Sequence, residues 1–326
     1  MSHRLRITVT ALIILAVAAL LYFYSDKAAL KEAFGGLSAQ DIALDTSALS
    51  SDIPQPSPMP EGEYLDIYFF DVGQGDSILL KAPSGSTMLI DAGDAEHVIK
   101  LASCLKKTGV ERIDALVATH PHTDHIGGMR RIIENYEIGA FYMPDAEHTT
   151  SAYEGMIAAL YDKGIESNIL CADNGTLINW DDDVKVEVLS PFADTDFADL
   201  NDQSVILRVS YGGRALLLAG DAGPEEEQLA LNLLGENAFR ADILKVPHHG
   251  SDWGSPDSFI NAVSPRVAVI SCAINNDYGH PEAGVLEKLA DCGASVYRTD
   301  KFGTVRILVS ANGSITIAAE KAPTEE

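Results

Sequence analysis

Four side chains that can bind a metal ion lie within six consecutive residues of this chain, at His120, His122, Asp124 and His125. In a nearly extended backbone, His120 and His122 project to the same side, because successive side chains alternate between faces. Asp124 and His125 follow where the chain turns, and can point to a second position close by. Imidazole and carboxylate groups suit Zn²⁺, Mn²⁺ or Fe²⁺. Because the chain has only nine histidines, three of them in one loop predict a metal site rather than a His-rich surface loop.

The segments on either side of this loop indicate how it is positioned. Residues 113–118 form an apolar, β-branched run that predicts a buried strand. Residues 129–136 have an amphipathic pattern that predicts a short helix. The candidate ligands therefore occupy a strand-to-helix loop. Their spacing differs from that of a helical H-E-x-x-H site, in which both histidines need one face of a helix.

The run His120-Pro121-His122-Thr123-Asp124-His125 resembles the HxHxDH signature of the metallo-β-lactamase superfamily. The resemblance extends over residues 64–310. Further motifs are similar to those of the hydrolase domain of ComEC-type DNA-uptake proteins: residues 71–76 (DVGQGD), 247–251 (PHHGS) and 275–281 (NNDYGHP). The resemblance implies an α/β fold, the αββα sandwich, with the metals at one edge between two sheets. The alternation of predicted strands and helices agrees with covered sheet faces.

Polar residues follow two of the early predicted strands. The two glycines of DVGQGD allow a tight turn that leaves Gln74 and Asp76 exposed at a strand end. A plain β-turn explains the glycines but not the polar residues around them, so we expect Asp71, Gln74 and Asp76 near the site. The resemblance implies that Asp91 orients a metal-binding histidine, since such an imidazole usually donates its other N–H to a carboxylate or carbonyl. The alternative for Asp91 is a turn or capping residue.

Asp221, at the end of an apolar strand, resembles the bridging carboxylate of the superfamily. Two carboxylate oxygens can hold two cations about 3.5–4 Å apart, although in isolation an ordinary helix-entry aspartate would be the better interpretation. Where the superfamily often has another metal-binding histidine, this chain has Asn201, in an Asn-x-x-Ser pattern that is typical of ComEC-like domains. The first metal position would then hold its ion with His120, His122, Asp221 and solvent, or bind it weakly.

The motif at residues 247–251 supplies the last implied ligand. By the register of the superfamily, His249 binds metal and His248 faces the substrate, but the two roles could be reversed. Ser251 follows them and is expected near the site. His280 is a candidate substrate or leaving-group contact, and a plain loop histidine is the alternative. We expect three catalytic groups, namely His248, His280 and Asp124, which is also a candidate metal ligand.

This set of residues predicts metal-dependent hydrolysis. Two divalent ions, Zn²⁺ or Mn²⁺, would bring the pKa of a bound water near 7 and so supply metal-bound hydroxide. The resemblance implies a phosphodiesterase or nuclease acting on DNA. The alternatives are a phosphodiesterase acting on a wall polymer or lipid phosphoester, and a non-catalytic, metal-bound competence accessory protein. We expect no nucleotide cofactor, because no Gly-rich nucleotide-binding signature is present.

Composition limits the kinds of partner. The chain has 326 residues, 46% of them hydrophobic, and a net charge of −25, so it can bury a large core. An acidic protein has no broad electrostatic surface for nucleic acid, which argues against tight nonspecific DNA binding. The four cysteines are scattered and contain no C-x-x-C pair, so they predict ordinary buried thiols, and the sequence implies no disulfide.

The N-terminal region predicts a membrane segment. Arg4 and Arg6 precede an apolar run at residues 7–24, which is just long enough to cross a bilayer as a helix. We expect an anchor or signal segment at 1–25, a Pro-rich linker or stalk at 26–62, the hydrolase domain at 63–319 and a tail at 320–326. The protein would then be a single-pass membrane protein with its catalytic domain outside the cell, or would be secreted if the segment is cleaved.

Overall fold

The strands of this protein carry apolar side chains on both faces. The computed structural model describes residues 53–59, 61–195 and 197–322. Leu80 and Ile90 face one buried cluster, whereas Leu79 and Leu89, their neighbours in sequence, face another. A pleated strand produces this alternation, and apolar residues on both faces mean that both faces are covered.

The first sheet has a long antiparallel part and a parallel part. Its strands are β1 (Tyr64–Phe69), β2 (Ile78–Lys81), β3 (Thr87–Ile90), β4 (Arg112–Val117), β5 (Glu137–Met143), β6 (Ile169–Cys171), β13 (Val305–Ser310) and β14 (Ile315–Ala319). Their order in space is β14-β13-β1-β2-β3-β4-β5-β6. Pairing is antiparallel from β14 to β3 and parallel from β3 to β6. The carboxyl ends of β3 and β4 therefore lie side by side.

The second sheet repeats this division. Its strands are β7 (Lys185–Ser190), β8 (Ile206–Tyr211), β9 (Arg214–Leu218), β10 (Ile243–Lys245), β11 (Val267–Ile270) and β12 (Ser295–Arg298). Their order is β12-β11-β10-β9-β8-β7. The strands from β9 to β12 are parallel, and those from β7 to β9 are antiparallel.

Helices cover the outer face of each sheet. They are α1 (Val98–Lys107), α2 (Thr123–Ile126), α3 (Met129–Asn135), α4 (Ser151–Asp162), α5 (Pro224–Leu234), α6 (Asp257–Val263), α7 (Ala283–Asp291) and α8 (Thr299–Phe302). Helices α1, α3 and α4 pack on the first sheet, and α5, α6 and α7 pack on the second. A third apolar cluster fills the space between the sheets. The expected α/β class with two sheets is confirmed, in the layer order αββα.

The predicted anchor at 1–25 and the first part of the predicted linker lie outside the described residues. Within the described ranges, no helix is both long enough and apolar enough to cross a membrane. The far end of the predicted linker is held by the domain: the carbonyl of Pro54 accepts a hydrogen bond from Arg306 Nη1 (3.2 Å), and Arg306 Nε also contacts Asp66 Oδ1 (2.8 Å). At the predicted start of the tail, Glu320 N donates to the carbonyl of Thr304 (3.0 Å).

The two sheets bring polar residues to one common edge. Asp91 directly follows β3 and His120 follows β4, while Asp221 follows β9 and His249 follows β10. The sheets are joined here, because the N–H of Val205, just before β8, donates to the carbonyl of Thr119 (3.0 Å). In α/β sheets, ligands bind outside the carboxyl ends of the strands. The fold therefore places its candidate ligands where such sites form.

Candidate metal centre

A group of four ligand atoms converges at this edge, contributed by Asp124, His125, Asp221 and His249. All four lie within 4.8 Å of one another, and we call these residues the four-residue cluster. Asp221 is central, with Oδ1 3.2 Å from His125 Nε2 and Oδ2 3.3 Å from His249 Nε2. Asp124 Oδ2 lies 3.3 Å from His249 Nε2. Residues far apart in sequence thus form one compact set of nitrogen and oxygen donors.

His125 is oriented by Asp91, which is fully buried. Asp91 Oδ2 lies 2.7 Å from His125 Nδ1, so this carboxylate fixes the ring and leaves Nε2 facing the cluster. Asp91 is itself held by Thr119, whose N–H and hydroxyl donate to its two oxygens at 2.8 and 2.6 Å. This is the arrangement that a ligating imidazole needs. Thr119 was not among the residues predicted from the sequence.

His249 is oriented by a backbone carbonyl. Its Nδ1 lies 2.9 Å from the carbonyl oxygen of Ser271, which can only accept, so Nδ1 carries the proton and Nε2 is free to face the cluster. His248 and His249 both have positive φ, 47° and 55°. This backbone conformation is rarely adopted by non-glycine residues, and it turns the adjacent rings in different directions. His249 belongs to the cluster, whereas His248 Nε2 lies farther out, 3.9 Å from Asp221 Oδ2.

The charges of the cluster support one another. Burial alone would raise the pKa of Asp221, but His125 and His249 outweigh it and hold that pKa well below its usual range. Burial alone would lower the pKa of His249, but Asp221, Asp124 and Asp76 raise it to about 9. Protons and metal ions would therefore compete for the same ring nitrogens.

The donors of the cluster fit a divalent cation. Within the part of the chain that the structure describes, His125 Nε2, His249 Nε2 and Asp221 Oδ1 are buried and make no hydrogen bond of acceptable geometry. Buried polar atoms without a partner are costly. Two imidazole nitrogens and carboxylate oxygens facing one point form the donor set that Zn²⁺ or Mn²⁺ prefers.

His120 and His122 lie beside the cluster, and we call them the histidine pair. His120 Nε2 and His122 Nδ1 are 3.1 Å apart, close enough for both nitrogens to bind one ion. Burial, more than any other cause, lowers the pKa of His120 well below its usual range. The ring is therefore neutral and able to act as a ligand. His148 approaches the pair, with its ring centroid 6.2 Å from that of His122. Nothing in the sequence around His148 required this position.

Asp76 lies next to the cluster residue His249 without belonging to the cluster. Its Oδ2 lies 2.6 Å from the ammonium of Lys245, and both residues are almost completely buried. Asp76 Oδ1 lies 3.8 Å from His249 Nδ1. Lys245 was not among the predicted site residues, although a lysine inside the apolar strand 243–246 was a usable signal, since a buried lysine requires a partner.

The other residues of the DVGQGD turn make contacts outside the cluster. Gln74 Oε1 accepts a hydrogen bond from Ala273 N (3.1 Å), which ties this turn to the loop that carries His280. Asp71 Oδ2 pairs with Lys100 Nζ (2.8 Å) on a half-buried surface. Gln74 thus supports a neighbouring loop, and Asp71 joins the turn to α1.

The remaining predicted residues surround the centre. Asn201 is buried in a short 3₁₀ turn, Leu200–Gln203, and its Oδ1 has no hydrogen-bond partner among the described residues. Ser251 is buried and its hydroxyl accepts the N–H of Trp253 (3.2 Å). The His280 ring lies 5.6 Å from that of His248.

The sequence model of the metallo-β-lactamase superfamily matches residues 70–273. This chain belongs to the metallo-β-lactamase superfamily. The matched range contains the whole four-residue cluster and the histidine pair. As a member of this superfamily with a buried cluster of metal-binding groups, the chain is of the metal-dependent hydrolase class.

Among proteins of this superfamily, the chain is similar to competence proteins, as expected from its motifs. It is 31% identical to ComE operon protein 3 of Bacillus subtilis, over 77% of this chain and 33% of that protein. It is 32% identical to competence protein ComA of Neisseria gonorrhoeae, over 79% and 34%. It is 27% identical to recombination protein 2 of Haemophilus influenzae, over 73% and 28%. The chain thus spans about a third of the length of these relatives, and the predicted resemblance to ComEC-type proteins is confirmed.

Proposed function

We propose that this protein is a metal-dependent phosphodiesterase that cleaves DNA. The observation that carries the proposal is the four-residue cluster, in which three buried residues and the partly exposed Asp124 bring nitrogen and oxygen donors from both sheets within 4.8 Å of one another. Bound there and at the histidine pair, two divalent ions, Zn²⁺ or Mn²⁺, would supply Lewis-acid charge and an acidic water.

The chain's own residues divide the remaining tasks. Asp91 and the carbonyl of Ser271 fix the rings of His125 and His249, so that both Nε2 atoms face Asp221. Asp124 adds a second carboxylate at the same point.

We assign substrate contact to His248 and His280. The Nδ1 atom of each ring is buried, but both side chains are partly exposed, so Nε2 is the nitrogen left to meet a substrate. Because a neutral imidazole can donate from one nitrogen, these two rings can hold a phosphoryl oxygen or a leaving oxygen beside the cluster. Their proposed role is therefore to orient the phosphodiester and to stabilise the charge that develops on its oxygens.

The similarity to competence and recombination proteins supports DNA as the substrate. The net charge of −25 supports a second candidate, a phosphodiester on a wall polymer or lipid, because a smaller substrate needs no broad basic surface. The two candidates share the centre and differ only in what the surrounding surface binds.

Hydrolysis assays test the proposal. The purified chain, stripped with chelator and then loaded with Mn²⁺ or Zn²⁺, should cleave DNA and a small chromogenic phosphodiester. As a control, His97→Gln should cleave both substrates as the wild type does, since it removes a histidine that contacts Asp94 (2.9 Å) outside the cluster. Cleavage of the small ester alone would favour the wall or lipid substrate. Stoichiometric metal without cleavage of any substrate would favour a non-catalytic accessory protein.

We also propose that the catalytic domain lies outside the cell. The support is the sequence of the first 25 residues, in which arginines precede an apolar run. Protease added to intact cells should degrade the domain, whereas a cytoplasmic marker should survive. Protection of the domain until the cells are lysed would contradict this placement.

A further inference from the structure

Four aromatic side chains form a continuous row beside the four-residue cluster. The ring of Trp253 lies edge-on to that of His248, with centroids 5.4 Å apart, and the His248 ring lies 5.6 Å from the His280 ring. Tyr278 continues the row, stacked on His280 at 5.6 Å with 24° between the ring planes. The row meets the cluster at His248, whose Nε2 is 3.9 Å from Asp221 Oδ2. We call these four residues the aromatic row.

The two ends of the row are open to solvent. Tyr278 is 71% exposed and Trp253 is 40% exposed. Ile274, on the same loop as Tyr278, is also 71% exposed. Large exposed side chains that cluster at a site, rather than lying singly on the surface, mark binding surfaces.

Hydrogen bonds and close packing hold the row in place. Asn276 Oδ1 accepts the N–H groups of Tyr278 (3.2 Å) and His280 (3.0 Å), which fixes the loop that carries both rings. The indole of Trp253 lies directly on the backbone of Gly223, where an added Cβ would come within 2.2 Å of the ring. The aromatic surfaces are therefore formed before any ligand arrives, which lowers the entropy lost on binding.

We propose that Tyr278 and Trp253 bind unpaired DNA bases on either side of the phosphodiester that is cleaved. The proposal rests on the proposed function and specifies its substrate: a single strand or a frayed end, whose bases have free faces. Aromatic side chains stack on such bases with little dependence on sequence. The bases of an intact duplex stack on one another, so their faces are not available to the row.

The charge of the protein favours this mode of recognition over one based on the DNA backbone. Proteins that follow the backbone use many lysines and arginines, whereas this chain has 23 Lys and Arg against 48 Asp and Glu. Stacking needs no positive surface. A stacked base on each side would place the phosphate between them near His248 and His280, beside the cluster.

Binding without metal tests the proposal independently of catalysis. Calorimetric titrations in EDTA would compare a short oligothymidylate with an abasic phosphodiester chain of the same length and with a blunt duplex. The protein should bind the oligothymidylate at least about 10-fold more tightly than the abasic chain, the size expected for one stacked base. The duplex should bind no better than the abasic chain.

Variants identify the side chains. Tyr278→Ala should lower the affinity for oligothymidylate by about 10-fold and leave that for the abasic chain unchanged. Tyr278→Phe should keep wild-type affinity, because stacking needs the ring and not the hydroxyl. Trp253→Ala should act as Tyr278→Ala does. Tyr161→Ala is the matched control, since Tyr161 is an exposed tyrosine on α4 outside the row, and it should change nothing.

The outcomes separate this proposal from the proposed function. Equal wild-type affinity for oligothymidylate and the abasic chain, or normal affinity in both alanine variants, would overturn base stacking. Hydrolysis of the oligothymidylate and of the abasic chain in Mn²⁺ is measured in parallel. Failure to cleave either chain, alongside intact base-dependent binding, would overturn the phosphodiesterase assignment and leave the stacking site standing.

Discussion

The four-residue cluster and the histidine pair are adjacent parts of one candidate centre, yet the fold supports them differently. In the cluster, each imidazole is fixed by a group outside it, His125 by Asp91 at 2.7 Å and His249 by the Ser271 carbonyl at 2.9 Å. In the histidine pair, His120 Nδ1 has the Thr119 hydroxyl at 3.2 Å, but the His122 ring has, among the described residues, a hydrogen-bond contact only with His120, at 3.1 Å. The cluster is thus formed in advance, whereas the pair is less constrained.

From this difference we expect the two proposed ions to be held with unequal strength. Groups that orient a ligand change metal affinity by about 10- to 100-fold, and the cluster has more of them. At the position where the resemblance to the superfamily implies another metal-binding histidine, this chain has Asn201. We therefore expect a tightly bound ion at the cluster and a more readily lost ion at the pair.

Asp221→Ala should have the largest effect, because Asp221 contacts both imidazoles of the cluster. The variant should retain neither ion and should lose more than about 100-fold in hydrolysis, beyond the range for residues that only orient a ligand. Elemental analysis after dialysis and phosphodiester assays measure these losses. Asp162→Ala, on the exposed side of α4, is the control. Retention of two ions by Asp221→Ala would contradict the central position of Asp221.

His122→Ala should abolish turnover but remove only the more weakly held ion. The fold should survive, because the core strands do not depend on this side chain. One ion per chain and an unchanged melting temperature are the expected results. His249→Ala is the complementary variant and should lose the tightly held ion instead. If both variants lose metal to the same extent, the proposed inequality of the two parts is wrong.

Lys245→Met should destabilise the protein by about 3–5 kcal/mol, the cost of leaving one member of a buried ion pair without its partner. The partner is Asp76, at 2.6 Å, which also lies behind His249. Urea unfolding measures the change. Replacing both residues, as in Asp76→Leu with Lys245→Met, should recover much of the stability. A single variant as stable as the wild type would show that this ion pair does not support the cluster.

Asp91→Asn should lower metal affinity or activity by about 10- to 100-fold, because the charge that orients His125 is lost. The effect should appear at the cluster. In a His122→Ala background, the remaining ion should therefore also be held more weakly, as measured by competition with a chelating dye. Unchanged affinity in that background would place the role of Asp91 elsewhere.

Glu226→Gln should have the smallest effect, a change in the pH dependence of stability. Burial raises the pKa of Glu226 well above its usual range, although Ser190 Oγ donates to it (2.6 Å). The folded chain therefore keeps this proton at pH values where the unfolded chain has lost it. Its stabilising contribution is complete below the unfolded pKa of about 4.5 and is lost as the pH rises through the raised folded pKa.

The Gln variant removes that loss, so its urea midpoint should fall less than that of the wild type as the pH rises above about 5. Glu227 and Asp202, whose pKa values burial also raises, keep part of the dependence. Glu225→Gln, an exposed neighbour, is the control. A pH profile parallel to that of the wild type would contradict the assignment.

Secondary structure was predictable where the apolar pattern was clear. The predicted strand at residues 113–118 is β4, Arg112–Val117, and the predicted helix at 129–136 is α3, Met129–Asn135. The edge strand β6 was not predicted, because a segment of three residues has no clear periodicity.

The sequence determined which residue types are available for a metal and that they sit at strand ends, because alternating apolar runs fix where strands stop. It could not determine which of His248 and His249 has its ring in the cluster, because they are neighbours of the same type. The tertiary structure decided it, because ring direction depends on partners far away in the chain. Ser271, 22 residues from His249, directs that ring to the cluster, and Asp91, 34 residues from His125, directs the other.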